Sequence, residues 1–415
     1  MKKNLTQLSS RLTMALMLFT SVSISKAESL KPQAERFKVT LADIENGSFT
    51  VNPPIPADGM VEAGTEITVT AKPDSGYSLD VIYYTVKGGM WGTTSYEFFD
   101  KTSKITVEKD MTLGATFIPS SLINNLEIKR DIVFAKPGVK TLKYDVYSPK
   151  GAKNLPIIVI IHGGGWSSNN EDIMRGLAWE LTKDNQYVVA SVDYRWINKG
   201  DGDAQPNYMH QLLEDVFGAI AHIQEHAAAY GGDPNRMAVT GDSAGGHLSA
   251  AAAVFAPQIG SGGYGKSGNY EFMPTYLPRG KSADQVQVQI TNAIKAAAPS
   301  YGVFDVNPLN QFIEQTEVAY RDGLSPIKAV PAASQREVPH FLVRGTEDGL
   351  IPHTAVQAYT DKLKGAGQRA EYLQVEGAGH AFFDWKPDAR TRATFAKYGV
   401  PYAAKMKEFF DSVFY

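Results

Sequence analysis

The chain has 415 residues, of which 43% are hydrophobic and 20% are charged, so it can bury one large core and a second, smaller one. Its formal net charge is -3 and it contains no cysteine. These values exclude an electrostatic basis for binding nucleic acid, and they exclude disulfide bonds, thiol nucleophiles and thiolate metal ligands.

The N-terminus has the pattern of a secretory signal peptide. Lys2, Lys3 and Arg11 precede an apolar run over residues 12–24, and "SKA" follows as a small-residue cleavage site. A membrane anchor is the alternative, but it needs about 20 apolar residues, and this run is shorter and contains Thr and Ser. We therefore expect residues 1–27 to be removed and the protein to be exported without stable membrane insertion, to the periplasm, the cell surface or the medium.

Residues 36–118 predict a small antiparallel all-β domain. Short runs of alternating apolar and polar residues are separated by Asn-Gly, Pro-Asp and Gly-Gly turns. The pieces "GTEITVTAKPDSGYSL" and "ITVEKDMTLGATF" resemble the divergent internalin-type B-repeat modules of bacterial surface proteins, and the resemblance implies a binding or spacer module. Its aromatic residues are candidates for a sugar-binding face or for ordinary strand positions: Tyr77, Tyr83, Tyr84, Trp91 and Tyr96.

Residues 122–415 follow a different pattern, in which apolar strands alternate with helical periods. We expect helices near 172–183, 208–230 and 400–413. We also expect an alanine-rich helix directly after Ser243 and another helix after Pro352. Strands that are apolar throughout and separated by helices indicate a mostly parallel sheet covered on both faces, an α/β fold. Residues 259–289 and 307–337 fit neither period and are expected to be excursions where substrate walls lie.

The sequence "GDSAG", residues 241–245, lies between a predicted strand and a predicted helix. This is the context of a nucleophile elbow, in which glycines permit a tight turn that lifts the hydroxyl of Ser243 above the sheet. Alternatively, Ser243 only caps the helix, so its role depends on finding its partners.

A loop rich in glycine follows an earlier strand, in "IIVIIHGGGW". Backbone N–H groups of Gly164 and Gly165, together with that of Ala244, are the predicted donors of an oxyanion hole. A phosphate-binding loop is excluded because the spacing and the Lys-Ser/Thr ending are missing. His162 is expected to orient this loop.

The general base is sought among the histidines that follow Ser243, because this architecture orders its residues as nucleophile, acid and histidine. His247 lies one helical turn after Ser243, His340 opens a strand, and His353 begins a helix. His380, in "VEGAGHAFF" just after the final strand, is therefore the predicted base. The acid is expected in "LVRGTEDGLIP", with Asp348 preferred and Glu347 as the alternative.

Taken together, "HGGGW", "VDYRW", "GDSAGGH", "GTEDGLIP" and "GAGHAFF" resemble the α/β-hydrolases of the hormone-sensitive-lipase-like and bacterial feruloyl/acetyl esterase group. The resemblance covers residues 126–414. It implies that Ser243, Asp348 and His380 form the catalytic triad and that the HGGG glycines form the oxyanion hole. It also implies structural roles for Asp193 and Asp215, and neither a metal nor an organic cofactor.

The substrate is expected to be an ester on a polymer outside the cytoplasm. A carbohydrate esterase that removes acetyl or feruloyl groups from plant polysaccharide such as xylan is preferred over a general short-chain carboxylesterase or lipase, a serine peptidase, or a non-catalytic glycan-binding surface protein. Aromatic residues near the predicted site are candidates for stacking on a sugar or a ferulate ring, or for the core and rim: Trp166, Trp196, Tyr301, Phe382, Phe383 and Trp385.

Overall fold

The computed structural model describes residues 34–88, 92–260, 272–309, 311–313 and 318–415. The predicted signal peptide, Trp91 and residues 261–271 of the glycine-rich excursion lie outside these ranges. Within them, we find no helix that combines the length and the apolar character needed to cross a bilayer.

The N-terminal region consists of strands in two sheets, which pack around a core that includes Ile67, Val69 and Leu113. One sheet has the order β3-β1-β8-β5-β6 and the other has the order β2-β4-β7. The alternating sequence predicted an antiparallel arrangement, but β1 and β8 pair in parallel, with Val39 opposite Met111. Alternation reports only which face is buried, so it could not reveal this pairing between distant strands. The strands are β1 (Arg36–Leu41), β2 (Gly47–Asn52), β3 (Met60–Glu62), β4 (Glu66–Pro73), β5 (Tyr77–Lys87), β6 (Thr93–Phe98), β7 (Thr102–Thr106) and β8 (Met111–Pro119).

Strand aromatics of this region pack against each other and against glycine. Tyr84 stacks on Tyr96 with ring centroids 4.7 Å apart, and Tyr96 is exposed. Tyr83 is buried above Gly114, where a Cβ atom would come within 2.7 Å of its ring. Tyr83 therefore belongs to the packing of the sheet, whereas the Tyr84–Tyr96 pair remains on a surface.

The second region is built on an eight-stranded sheet with the order β16-β15-β14-β13-β11-β12-β10-β9. Strand β10 pairs antiparallel with both of its neighbours, β9 and β12, and the remaining pairs are parallel. The strands are β9 (Leu126–Ala135), β10 (Leu142–Pro149), β11 (Leu155–Ile161), β12 (Val188–Val192), β13 (Gly232–Asp242), β14 (Ile294–Ser300), β15 (His340–Gly345) and β16 (Ala370–Val375). Helices cover both faces of this sheet, so the predicted α/β fold is confirmed.

The helices are α1 (Arg175–Thr182), α2 (Met209–His226), α3 (Ala244–Phe255), α4 (Ala283–Ala293), α5 (Val318–Asp322), α6 (His353–Gly365), α7 (Ala389–Thr394) and α8 (Val400–Phe414). The predicted helices correspond to α1, α2, α3, α6 and α8. The sequence patterns did not predict α4, which begins within the expected excursion 259–289 and ends four residues after it. Its start carries a capping box, in which Ser282 accepts from the backbone of Gln285 and the Gln285 side chain bonds back to Ser282.

The buried strand β11 explains where the candidate site lies. Residues from Ile157 to Ile161 are fully buried because each face of the strand contacts one of the two main cores. Strands β11, β13, β15 and β16 run parallel, so the loops after their carboxyl ends lie at one edge of the sheet. This is the edge at which open α/β sheets hold ligands.

Candidate active site

Ser243 occupies the sharp turn between β13 and α3. Its φ of 53° and ψ of -113° lie in a strained region for a residue with a side chain. The turn requires its glycines, because a Cβ atom on Gly245 would lie 1.9 Å from the carbonyl oxygen of Ile161, and one on Gly241 would lie 2.3 Å from the same atom. The observed turn has the geometry predicted for a nucleophile elbow.

A chain of short hydrogen bonds connects Ser243 to two other predicted residues. The Oγ of Ser243 lies 2.9 Å from Nε2 of His380, and Nδ1 of His380 lies 2.8 Å from Oδ2 of Asp348. His380 is contributed by the loop after β16 and Asp348 by the turn after β15. The structure thus brings together residues 137 and 32 positions apart in the order nucleophile, base and acid.

Asp348, and not Glu347, faces His380. Oδ1 of Asp348 accepts hydrogen bonds from the backbone N–H groups of Leu350 and Ile351, at 2.8 Å and 2.9 Å. Burial acts to raise the pKa of Asp348, but the hydrogen bonds from His380 and from these N–H groups outweigh it and lower that pKa. The side chain of Glu347 is exposed. Asp348 is therefore held as a carboxylate that accepts from the imidazole.

The rings of the other histidines after Ser243 have hydrogen-bond partners other than Ser243. His247 is fully buried, its Nε2 lies 2.9 Å from the carbonyl oxygen of Leu324, and its Nδ1 accepts from the indole of Trp166. Burial lowers the pKa of His247 to about 4. His340 is also buried, with a pKa lowered by burial to about 4, and His353 contacts Tyr372. None of these three contacts Ser243 through its ring.

The glycine loop after β11 lies beside the elbow. Gly164 and Gly165 have φ values of 117° and 58°, which only glycine adopts without strain. Within the described parts of the chain, their N–H groups donate to no carbonyl, whereas the oxygen of Gly164 accepts from Ser167 and Ser168. The N–H of Ala244 opens α3, where helix geometry leaves it without an acceptor. These are the groups predicted to bind an oxyanion.

His162 contacts the backbone of this glycine loop and orients it, as expected. It is fully buried and stacks on Tyr194 at 4.2 Å. Its Nδ1 lies 2.7 Å from the oxygen of Gly163, and its Nε2 lies 3.2 Å from Asp193, which also binds Lys140. Asp215, on α2, accepts two hydrogen bonds of 2.8 Å from the guanidinium of Arg195. Asp193 and Asp215 are thus structural positions.

Asp242 is a site residue that the sequence reading missed. Its Oδ1 accepts a hydrogen bond of 2.6 Å from the N–H of Gly163. Burial raises the pKa of Asp242 to about 7, and the nearby carboxylate of Asp384 adds to this shift. The signal was present, since a carboxylate directly before the nucleophile, at the end of a buried strand, must find a donor.

The predicted aromatic substrate contacts need correction. Tyr301 and Phe382 are fully buried and pack edge-on at 5.0 Å, with Tyr301 also against His380 at 4.9 Å. They have no surface to offer a sugar, and the same holds for Phe383. Trp166 is only 5% exposed and bonds to His247. A single sequence could not separate rings that support the histidine from rings that face the cleft.

Two other aromatic residues keep accessible surface near the glycine loop that follows β11. Trp196 is half-buried and donates its indole N–H to the oxygen of Asn169, so its predicted role as a substrate contact stays a prediction. Phe312, which the sequence reading missed, is 43% exposed and packs on Trp166 at 5.9 Å. A Cβ atom on Gly165 would lie 3.9 Å from its ring. Phe312 therefore forms a wall beside the glycine loop.

The sheet order, the elbow and the Ser-His-Asp chain define an α/β-hydrolase. The chain belongs to the BD-FAE family, whose model matches residues 144–363. Residues 37–121 match a divergent InlB B-repeat domain. Both matches agree with the resemblances inferred from the sequence motifs. The BD-FAE match includes Ser243 and Asp348, and His380 lies beyond its end.

Individual relatives cover parts of the chain. Esterase LipQ of Mycobacterium tuberculosis is 28% identical over 270 residues, which are 57% of this chain and 56% of the relative. Carboxylesterase NlhH of the same organism is 36% identical over 144 residues, or 34% of this chain and 42% of the relative. The chain thus spans about half the length of the curated relatives it matches.

Solved structures share the fold. The truncated form of a carbohydrate esterase from gut microbiota aligns with a TM-score of 0.52 at 21% identity, covering 69% of this chain and 95% of that one. Esterase 2 of Thermogutta terrifontis with bound butyrate aligns with a TM-score of 0.51 at 22% identity, covering 70% and 95%.

Proposed function

We propose that this protein is a serine carboxylic-ester hydrolase. The observation that carries the proposal is the hydrogen-bonded chain from Ser243 through His380 to Asp348, with distances of 2.9 Å and 2.8 Å. The esterase names of the relatives support the same reaction class. A non-catalytic glycan-binding protein would have no need for this chain of bonds beside Gly164 and Gly165, whose N–H groups have no backbone acceptor among the residues that the structure describes.

The reaction is acyl transfer in two steps. His380 takes the proton of Ser243 as its oxygen attacks the ester carbonyl, and Asp348 stabilises the imidazolium that forms. The N–H groups of Gly164, Gly165 and Ala244 stabilise the oxyanion. The alcohol leaves with the proton from His380, and a water molecule then attacks the acyl-enzyme with the same histidine as base.

The test is hydrolysis of p-nitrophenyl acetate by the full chain. Ser243→Ala should lower kcat by about 10⁴-fold or more, because the covalent step is lost. Ser249→Ala is the matched control, since Ser249 lies on the helix that follows Ser243 and, among the described residues, its hydroxyl bonds only to the oxygen of Gly246. Full activity of Ser243→Ala would refute the proposal.

We further propose that the substrate is a decorated plant polysaccharide, from which acetyl or feruloyl groups are removed. The similarity to a carbohydrate esterase supports this class of substrate. Tyr96, exposed and stacked on Tyr84 in the N-terminal region, offers an aromatic ring of the kind that stacks on sugars. Phe312 presents an exposed ring beside Gly165 and so offers an aromatic contact near the candidate oxyanion donors. The second candidate is a general short-chain carboxylesterase, which would use the same triad.

A substrate panel separates these candidates. We expect the highest kcat/KM on acetylated or feruloylated xylan, compared with methyl ferulate and tributyrin. Equal or better turnover of tributyrin would favour the general carboxylesterase. Binding to xylan without hydrolysis of any ester would favour the glycan-binding protein.

Export is a separate proposal that rests on the first 27 residues, with their basic start, apolar run and "SKA" ending. N-terminal sequencing of the protein recovered outside the cytoplasm should begin at Glu28. A protein that retains Met1 and stays in the cytoplasm would contradict it.

A further inference from the structure

The segment after His380 is held in a conformation that its own sequence does not favour. Ala381 has a φ of 60°, which is strained for a residue with a Cβ atom. Such a conformation persists only where the surroundings restrain the segment on both sides. On one side, His380 bonds to Asp348 and Ser243. The restraint on the other side must lie further along the chain.

Trp385 provides that second restraint. Its backbone N–H donates to the oxygen of Ile173 at 2.9 Å, and its indole Nε1 donates to Oδ2 of Asp80 at 2.9 Å. Asp80 lies on β5 of the N-terminal β region, 305 positions earlier in the chain. A residue of the predicted binding or spacer module is therefore bonded to the segment that carries the candidate base.

Asp80 is a rigid acceptor because it is itself fixed by a buried ion pair. Its two oxygens accept from Arg175 at 2.7 Å and 3.1 Å, and Thr116 donates to Oδ2 at 3.1 Å. The side chains of Asp80 and Arg175 are fully buried, and Glu97 also contacts Arg175 at 2.8 Å. Burial acts to raise the pKa of Asp80, but Arg175 outweighs it and keeps that pKa lowered. The carboxylate stays charged, so its position is set by several partners.

The two regions also share apolar packing at this junction. Ile118, at the end of β8, belongs to the same buried core as Phe382, Phe383 and Trp385. A bond from Asp80 to Trp385 is thus made inside a continuous core and is shielded from water, where a charge-assisted hydrogen bond is strong.

We propose that Asp80 of the N-terminal β region is a positioning residue for catalysis: through Trp385 it restrains the segment that places His380 beside Ser243. The inference rests on the proposed esterase function. The N-terminal region then acts as part of the catalytic framework, in addition to any role in binding a polymer. Catalytic groups must be held within about 0.5 Å of their productive geometry, so a weaker restraint lowers turnover without removing any reacting group.

Two neighbouring tryptophans allow a matched experiment. Trp179 on α1 packs edge-on against Trp385, with ring centroids 5.2 Å apart, and is only 3% exposed. Among the described residues, its indole N–H has no hydrogen-bond partner. Trp385→Phe and Trp179→Phe remove the same atoms from the same core, but only Trp385→Phe breaks the bond to Asp80.

With p-nitrophenyl acetate, we expect Trp385→Phe to lower kcat by about tenfold with KM changed by less than roughly twofold. Trp179→Phe should keep the kcat of the wild type. The rate at which an organophosphorus reagent labels Ser243 should fall in the first variant only. Thermal unfolding and near-UV circular dichroism of both variants establish that they fold alike.

Asp80→Ala tests the other end of the same bond by removing the acceptor oxygens, whereas Asp80→Asn keeps one acceptor oxygen and removes the charge. We expect Asp80→Ala to lower kcat at least as much as Trp385→Phe, and Trp385→Phe to cost little more in the Asp80→Ala background because the bond is already lost.

The experiments distinguish failure of the positioning role of Asp80 from failure of the proposed esterase function. Equal kcat for Trp385→Phe and Trp179→Phe, whether both are unchanged or both are lowered, overturns the positioning role while the esterase function stands. Additive losses in the double variant overturn it as well. A wild type as inactive as Ser243→Ala overturns the proposed function and this inference with it.

Discussion

Asp242 and Gly163 join the two halves of the candidate site, because the carboxylate of Asp242 accepts a hydrogen bond of 2.6 Å from the N–H of Gly163. The residue before the candidate nucleophile thereby fixes the loop that carries the candidate oxyanion donors. A Cβ atom on Gly163 would lie 2.6 Å from the same carboxyl group, so the contact is also sterically close. Nucleophile and oxyanion donors are therefore placed by one contact.

Asp242→Ala should lower kcat on p-nitrophenyl acetate by about 10- to 100-fold, because the N–H of Gly163 loses its acceptor and the glycine loop is no longer fixed. Asp242→Asn is the control, since its amide oxygen can still accept from Gly163. Its loss should be several-fold smaller. Equal losses in the two variants would mean that the charge, and not the hydrogen bond, matters.

The acid of the triad gives a second prediction. Asp348→Asn should lower kcat by about 10⁴-fold, because an amide N–H facing His380 imposes the wrong tautomer on the imidazole. Glu347→Gln, one residue earlier and exposed, should leave kcat unchanged. Steady-state kinetics of the pair decide between the two acids. A large loss in Glu347→Gln with little loss in Asp348→Asn would reverse the assignment.

The close contact at Gly245, in the elbow, leads to a prediction about stability. Gly245→Ala should lower the free energy of unfolding by about 3 kcal/mol or more, because its Cβ atom would lie 1.9 Å from a backbone oxygen that cannot move aside. At Gly365, at the end of α6, a Cβ atom meets nothing within 4 Å. Gly365→Ala should be neutral or stabilise by up to about 1 kcal/mol. Urea unfolding of the two variants provides the measurement.

His247 predicts a pH dependence of stability. Burial lowers its pKa from 6.5 to about 4, so below pH 6.5 the unfolded chain binds a proton that the folded chain does not. This group therefore makes the free energy of unfolding fall as pH decreases from 6.5 to 4, by about 1.4 kcal/mol per pH unit in the middle of that window.

The test is the difference between wild type and His247→Gln. A packing cost of the substitution is independent of pH and shifts the whole curve, so only the slope of the difference reports the titration. We expect the variant to gain on the wild type as pH falls from 6.5 to 4. Parallel curves would show that His247 is protonated in the folded state.

Sequence patterns predicted much of the fold and the core of the candidate site, because each rested on local rules. Strands such as β11 are apolar throughout, and the turn at Ser243 requires glycine at Gly241 and Gly245 for steric reasons. The order of nucleophile, acid and base then limited the choice to Asp348 or Glu347 and to His380. The observed hydrogen bonds join Ser243, His380 and Asp348.

Apart from α4 and Asp242, the features that the sequence did not reveal are long-range. The parallel pairing of β1 with β8, the contact of Phe312 with Trp166, and the bond from Trp385 to Asp80 join residues far apart in the chain. No periodicity or spacing encodes such contacts. The choice between substrate contact and core stayed open for Tyr301 and Phe382 for the same reason, since position along the chain does not tell which side of His380 a ring occupies.

The buried pair of Arg175 and Asp80 affects how the role of the N-terminal region can be studied. A shortened protein that lacks this region would leave the guanidinium of Arg175 without Asp80, and it would expose to water the apolar side chains that now pack with Ile118, such as Trp385. Weaker activity on a polymer after such a deletion would therefore reflect damage to the hydrolase and not a lost carbohydrate contact. Single substitutions on the outer surface, such as Tyr96→Ala, separate polymer binding from the integrity of the hydrolase.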